Sequence, residues 1–498
     1  MKRKLMFNSV SAILLQVVTA VCGLILPRLI LAEYGSAVNG LVQSVTQFLG
    51  VVSLLDMGVG QVIQSALYRP LVEGDRSGIS GIMVSGERFF RRIAFILVAY
   101  IAVLLVLYPT VIETGFGWGY TAALILAVGI SSFAQYYVGV VDRILLNADQ
   151  RAYIQHTSQI IALVLNTVCC VALILVGASI QAVKLVSALI FMVRPIAVRR
   201  YVNRHYRVDW KISLQGEPIK QKWHGVAQHF TAFVLDGTDN IVLTVLSTLE
   251  NVSVYSVYHM VIFSIRQLYQ SAISSLHAIV GELWAKDDLD TLRAFYGRME
   301  KILHFVVVFL FSCTGLLILP FVRVYTVGIA DTDYQQPVFA VLIVLAHTCS
   351  CLKSVYNIPI LAAGHYKQTS MCHIVATALN IVISVVGTWF WGLVGVAAGT
   401  LIAMGYQMTW MAVYNAKHLL HWPISRFVKR LVVDGLTAGL ICLAASGFRL
   451  QVVNYLAWFV LAAETALVAL VVILVMAFLF EREDFMLLCK QLTRKKRN

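Results

Sequence analysis

Long apolar runs alternate with short segments that carry nearly all of the charge, and this alternation limits what the chain can fold into more than any other feature. About 20 apolar residues of helix cross the hydrocarbon of a bilayer. Spans of that order fit at 7–31, 38–66, 90–109, 120–146, 153–177, 180–199, 223–248, 252–284, 301–323, 336–362, 369–388, 391–414, 430–447 and 453–480. Spans 38–66 and 252–284 are long and hold polar residues, as channel-lining or strongly tilted helices do. Only 13% of residues are charged, against roughly 25% in a soluble domain.

The basic residues fix an orientation. Arg199 to Lys222 interrupts the apolar pattern with seven Lys or Arg, and such a stretch is held on the cytoplasmic face. With the N-terminus also inside, cytoplasmic segments hold 31 of the 39 basic residues, whereas the external loops hold only Arg323 and Arg449. A missed helix would invert everything after it and destroy this bias. Both termini are therefore expected in the cytoplasm. The net charge of +14 does not signal nucleic acid, because the basic residues recur at alternate helix ends and form no recognition face. The opening MKRK and the apolar run to Leu31 lack a small-x-small cleavage site and read as a retained first helix. Nine cysteines, several inside apolar runs (Cys22, Cys169, Cys170, Cys313), form no CxxC pair or metal-ligand spacing.

An internal repeat runs through the chain. At an offset of 214, Ala148 meets Ala362, Ala162 meets Ala376, Leu165-Asn166 meets Leu379-Asn380, and Val171 meets Val385. At 213, Asp75 meets Asp288 and Glu87-Arg88 meets Glu300-Lys301, each acidic–basic pair just ahead of a span. Six spans per half is an even number, so the halves would be parallel repeats about an axis along the membrane normal. The expected fold is an all-α polytopic membrane protein of about 14 helices. It divides into a six-helix bundle over 1–199, a basic cytoplasmic linker over 200–222, a second six-helix bundle over 223–414, and an added helix pair with a basic tail over 415–498.

Charge inside hydrocarbon is costly, so it faces protein or a water-filled cavity. Arg28 follows Pro27 late in the first span, Arg266 lies near the middle of the eighth, and Lys353 lies in the tenth. Together they would line a cationic chamber between the halves and favour an anionic, phosphate-bearing ligand, for which Arg offers paired donors. Asp56 in the second span and Asp236 and Asp239, one turn apart in the seventh, would orient those cations or exchange an ion. His259 and His347 also fall in spans, where a proton-linked step would use them. Asp142 and Arg143, near the cytoplasmic end of the fourth span, suit gating, ion pairing or ligand contact. Lys184, Arg194 and Glu464 read as helix-boundary residues. No Walker A loop, hydrolase motif or cofactor signature is present.

Residues 24–71 (LILPRLILAEYGSAVNGLVQSVTQFLGVVSLLDMGVGQVIQSALYRPL), 144–155 (ILLNADQRAYIQ) and 379–403 (LNIVISVVGTWFWGLVGVAAGTLIA) resemble the polysaccharide flippases. These belong to the superfamily that also holds the multidrug and toxin extruders and the peptidoglycan lipid-precursor flippases. The last segment looks like that family's helix–short turn–helix, with Gly392, Gly395 and Gly399 permitting close approach. The resemblance implies two bundles that open alternately to either side of the bacterial cytoplasmic membrane. It also implies an undecaprenyl-pyrophosphate-linked oligosaccharide as substrate, no cofactor, and polysaccharide assembly proteins as partners, and leaves open whether a sodium or proton gradient drives the cycle. Arginines of the first and eighth helices line the cavity in that family, and the matching residues are Arg28 and Arg266. A multidrug extruder would dispense with Arg266 in favour of an aromatic, acidic cavity. A peptidoglycan-precursor flippase would add several basic residues to the first two helices, where this chain has Arg28 alone. A glycan polymerase would need a large external catalytic loop.

The orientation is testable by cysteine accessibility. A thiol placed at Gln215 or in the C-terminal tail should react only from the cytoplasmic side, and labelling of either from outside intact cells would overturn the topology.

Overall fold

The computed structural model describes residues 2–112, 114–212, 237–286, 288–447, 452 and 454–482, and all of its regular structure is helical. They fall into two compact units, Met1–Ser253 and Val254–Asn498. Ten of the described helices are long and apolar enough to cross a membrane. The expected fourteen spans relate to these ten simply. The first and the start of the second share one helix that ends at Gly50, the second then being interrupted at Val51–Ser53 and completed by the helix Leu54–Glu73. The seventh falls largely outside the described residues, and the eighth and thirteenth are helices richer in polar residues.

The first unit opens with α1 (Lys2–Gly50), which is broken at Gly35 with φ 83° and ψ 175°. A side chain would be strained there, so glycine divides the helix into the two arms expected from the apolar pattern. A 3₁₀ turn (Val51–Ser53) leads to α2 (Leu54–Glu73), followed by α3 (Arg76–Val111). The next span is composite: α4 (Trp118–Ala134), a π-helical turn (Gln135–Gly139) and α5 (Val140–Ala148). Helices α6 (Ala152–Leu175) and α7 (Ile180–Tyr206) complete six spans.

Helix α8 (237–246) and the first turn of α9 (Leu249–Ala285) also pack in this unit. Ser44 receives hydrogen bonds from Tyr108 (2.7 Å) and Thr244 (2.8 Å), and Asn39 donates to Ser253 (2.8 Å). Beside them a Cβ on Gly40 would fall 1.8 Å from the Leu249 carbonyl oxygen. Small and polar residues thus let α9 cross the second arm of α1 at backbone distance. Beyond α7, Arg207 turns the chain left-handed (φ 50°). The start of the basic segment then folds back, with Trp210 donating to Asn203 (2.8 Å).

The second unit continues with α10 (Leu289–Tyr325), α11 (Pro337–Ala362), α12 (Tyr366–Trp391), α13 (Leu393–Tyr414), α14 (Ile424–Ala445) and α15 (Tyr455–Phe480). Residues paired by the repeat occupy matching places. Ala162 and Asn166 on α6, and Ala376 and Asn380 on α12, are all buried. Asp75 and Asp288 are the N-caps of α3 and α10, and Asp288 accepts from the Thr291 amide (3.0 Å). Glu87 and Glu300 depart from expectation. They lie well inside α3 and α10, because these helices begin at Arg76 and Leu289, many residues before their apolar segments. Polar first turns do not end a helix. They carry it beyond the hydrocarbon.

The α12–α13 hairpin turns at Gly392 (φ 54°). A Cβ on Gly395 would lie 2.0 Å from the carbonyl carbon of Gly387, and one on Gly399 2.3 Å from the Ser384 hydroxyl. Asn380 donates to Thr400 across the contact (3.1 Å). Gly395→Ala should force the two backbones apart and lower the thermal unfolding temperature of the purified protein. Gly405→Ala on the same helix, where nothing lies within 4 Å, should leave it unchanged. Equal melting of the two variants would contradict this packing.

Candidate functional site

The second unit gathers a polar tract from four helices. Along α9, Tyr255, His259, Phe263, Arg266 and Gln270 recur at intervals of three or four and so share one face. Tyr255 stacks on His259 (5.4 Å between ring centroids) and His259 on Phe263 (5.7 Å), while His347 of α11 meets His259 edge-on (6.0 Å). Further along, the Tyr269 hydroxyl donates to the Cys351 carbonyl (3.2 Å) and Gln270 to Ser354 (2.8 Å). Residue numbers rise together on the two helices, so α9 and α11 run parallel.

At this level Arg266 and Lys353 both lie within electrostatic reach of the buried Cys351 thiol. Lys353 extends the positive field to Cys372 and His373 of α12, and His373 meets Gln407 of α13 (3.2 Å). Both cations are half-exposed. Two of the three expected cations thus stand together in one unit, among thiols, hydroxyls, amides and an imidazole. Such a site attracts an anion and offers it both a planar guanidinium and a flexible ammonium.

Arg28 belongs to the first unit, half-exposed on the first arm of α1, two turns before the break at Gly35. Asp239 is buried on α8, also in the first unit. Asp56 falls in the first turn of α2, where only the backbone is described, and Asp236 lies outside the described residues.

The structure also reveals charge clusters that the apolar pattern concealed. In the first unit Asp142, fully buried, pairs with Arg199 (2.9 Å), which also bonds Glu87 (2.7 Å) and stacks on Trp210 at 3.7 Å. In the second, Glu300 pairs with Arg426 (3.1 Å), which stacks on Trp422 at 3.7 Å. Deeper on the same face, His304 donates through Nδ1 to Asp434 (2.5 Å) and meets the Tyr356 hydroxyl through Nε2 (2.9 Å). Arg430 lies beside Asp434 (3.6 Å) and Glu481 (3.4 Å) and donates to the Lys301 carbonyl (2.7 Å), while Lys301 pairs with Glu481. These bonds fasten α14 and the end of α15 to α10. A sequence signal for them existed in Arg430 and Asp434, an i,i+4 pair of opposite charge inside an otherwise apolar run.

Among solved structures, the chain is similar to lipid II flippase MurJ in an inward closed conformation. The TM-score is 0.68 at 13% identity, over 96% of this chain and 99% of that one. It is also similar to a multidrug resistance MATE family transporter of the MOP superfamily, facing inward (TM-score 0.63, 15% identity, 80% of this chain and 95% of that one) and facing outward (0.59, 13%, 84% and 96%). No family model matches the sequence, and no curated protein does either.

Removing Asp434 would leave His304 buried without its carboxylate and Arg430 with Glu481 alone, a change of the kind that costs up to about 3–5 kcal/mol in buried pairs. Asp434→Ala should therefore lower the unfolding temperature sharply, while Asp290→Ala, at an exposed carboxylate, should not. Unaltered melting of Asp434→Ala would show that the cluster does not hold the helix pair. These likenesses establish the fold of a multi-pass helical membrane protein shared by MurJ-like and MATE-like transporters of the MOP superfamily.

Proposed function

We propose that the chain is a flippase of the bacterial cytoplasmic membrane that carries undecaprenyl-pyrophosphate-linked oligosaccharide outward by alternating access, for surface polysaccharide synthesis. The observation that carries this reading is the placement of Arg266 and Lys353 on the neighbouring helices α9 and α11 of the second unit, both within electrostatic reach of one thiol. Charge placed at that depth is costly, and a diphosphate head group gives it a use. Arg28, in the first unit, is a separate candidate contact for the anionic head group. The lipid tail stays in the bilayer, so the protein moves only the polar head and sugars. Asp56, Asp236 and Asp239 orient the cations or couple the cycle to a sodium or proton gradient, and the His259–His347 contact provides a second place for a proton.

A multidrug extruder is the less favoured reading. The MATE structures cover 80–84% of this chain, whereas the lipid II flippase covers 96%. The difference has the size of the C-terminal helix pair, since residues 415–498 are 84 of 498, or 17%. The presence of Arg266 and Lys353 points the same way. The single arginine of the first two spans separates this chain from the expected pattern of a peptidoglycan-precursor flippase.

Proteoliposomes loaded with an undecaprenyl-pyrophosphate oligosaccharide test the assignment at matched protein amounts. Arg266→Ala should cut flipping about tenfold or more, the loss expected for one charge-assisted contact. Arg266→Lys should recover part of it, since the paired donors are gone, and Lys353→Met should reduce it as well. Arg28→Ala should be milder because that residue lies nearer the outer face. Wild-type rates in Arg266→Ala and Lys353→Met would remove both residues from the site.

A further inference from the structure

Arg194, read from sequence as a boundary residue, lines a cavity of about 260 Å³ inside the first unit. Arg143 lines the same cavity from α5, and the two guanidiniums lie close enough to oppose one another's charge. Ser131, Ser132, Gln135 and Gln155 supply the remaining polar lining, and no carboxylate is among the described residues of the wall. Two like charges converging on one space repel, and a bound anion relieves that repulsion.

Three further features favour an anion here. The Gln155 side-chain oxygen is buried and receives no hydrogen bond. The assignment of amide oxygen and nitrogen follows the hydrogen-bond partners, so an anion would turn the NH₂ group inward as a donor. Gln155 also sits in the first turn of α6, at the positive end of a long helix dipole. Finally, the π-helical turn Gln135–Gly139 forms part of the wall. It packs against α7 through Gly139, where a Cβ would lie 2.7 Å from that of Pro195. Single π turns inside α-helices commonly accompany functional sites.

The site's depth narrows the ligand. Arg143 lies five residues before the end of α5 at Ala148, roughly 7.5 Å at helical rise, and Gln155 lies nearer still to the start of α6 at Ala152. On the orientation read from the basic residues, that places the cavity near the inner-leaflet head groups. We propose that this cavity binds a phosphate group, supplied by the head group of an anionic inner-leaflet lipid or by soluble phosphate. The site lies wholly within the first unit and is separate from Arg266 and Lys353, so it stands or falls independently of the transported substrate.

Delipidated full-length protein in neutral detergent, titrated with phosphatidylglycerol and separately with inorganic phosphate, tests this by native mass spectrometry and thermal shift. Wild type should bind one phosphatidylglycerol saturably. Arg194→Gln and Arg143→Gln should each bind about tenfold more weakly, and Arg194→Lys should recover part of the loss. Displacement of the lipid by millimolar phosphate identifies phosphate alone as sufficient; saturable lipid binding unaffected by phosphate assigns the site to the lipid head group. Should the arginine variants fail to fold, Gln155→Leu carries the test, with several-fold weaker binding expected. Wild-type affinity for both probes in a folded Arg143→Gln/Arg194→Gln protein, or in Gln155→Leu, would overturn the proposal.

Discussion

The cost of holding a charge away from water governs this structure. Each charged side chain within or beside the hydrocarbon has to meet a carboxylate, a ring face or a cavity. Arg199 and Arg426 show the first two together, each bonded to a glutamate and stacked on a tryptophan. Arg430 meets two carboxylates and a backbone carbonyl, and also lies over the ring of Phe305 at 4.3 Å. These cations hold helices together. Arg266 and Lys353 instead stand near the Cys351 thiol, beside the Tyr269–Cys351 and Gln270–Ser354 hydrogen bonds.

The repeat shows how this constraint is met twice with different parts. Glu87 and Glu300 occupy equivalent places on the third spanning helix of each half, and Trp210 and Trp422 follow the sixth. The arginine between them comes from before the tryptophan in one unit and after it in the other. The clasp persists while its chain connection differs. In the second unit α14 supplies the arginine, which ties the added helix pair to the repeated bundle.

Much of this was legible in the sequence. Membrane-length apolar runs specify helices because the backbone must satisfy itself in hydrocarbon. Gly392, Gly395 and Gly399 announce a tight hairpin because only a missing side chain allows that approach. Asp75 and Asp288, found by the repeat alone, prove to be helix caps. Other features depend on contacts far apart in the chain. The Asp142–Arg199 pair spans 57 residues, and Arg194 reads as a helix-boundary residue because nothing local marks the cavity it lines. The π turn at Gln135–Gly139 also leaves no pattern in composition. The convergence of Arg266 and Lys353 required knowing that α9 and α11 run side by side.

The decisive observation is a structure of the protein with undecaprenyl pyrophosphate bound. The phosphates should lie within hydrogen-bonding distance of the Arg266 guanidinium and the Lys353 ammonium, with the isoprenoid chain leaving toward lipid. Well-resolved phosphates elsewhere, with no anion beside Arg266 or Lys353, would contradict the assignment of this tract as the head-group site.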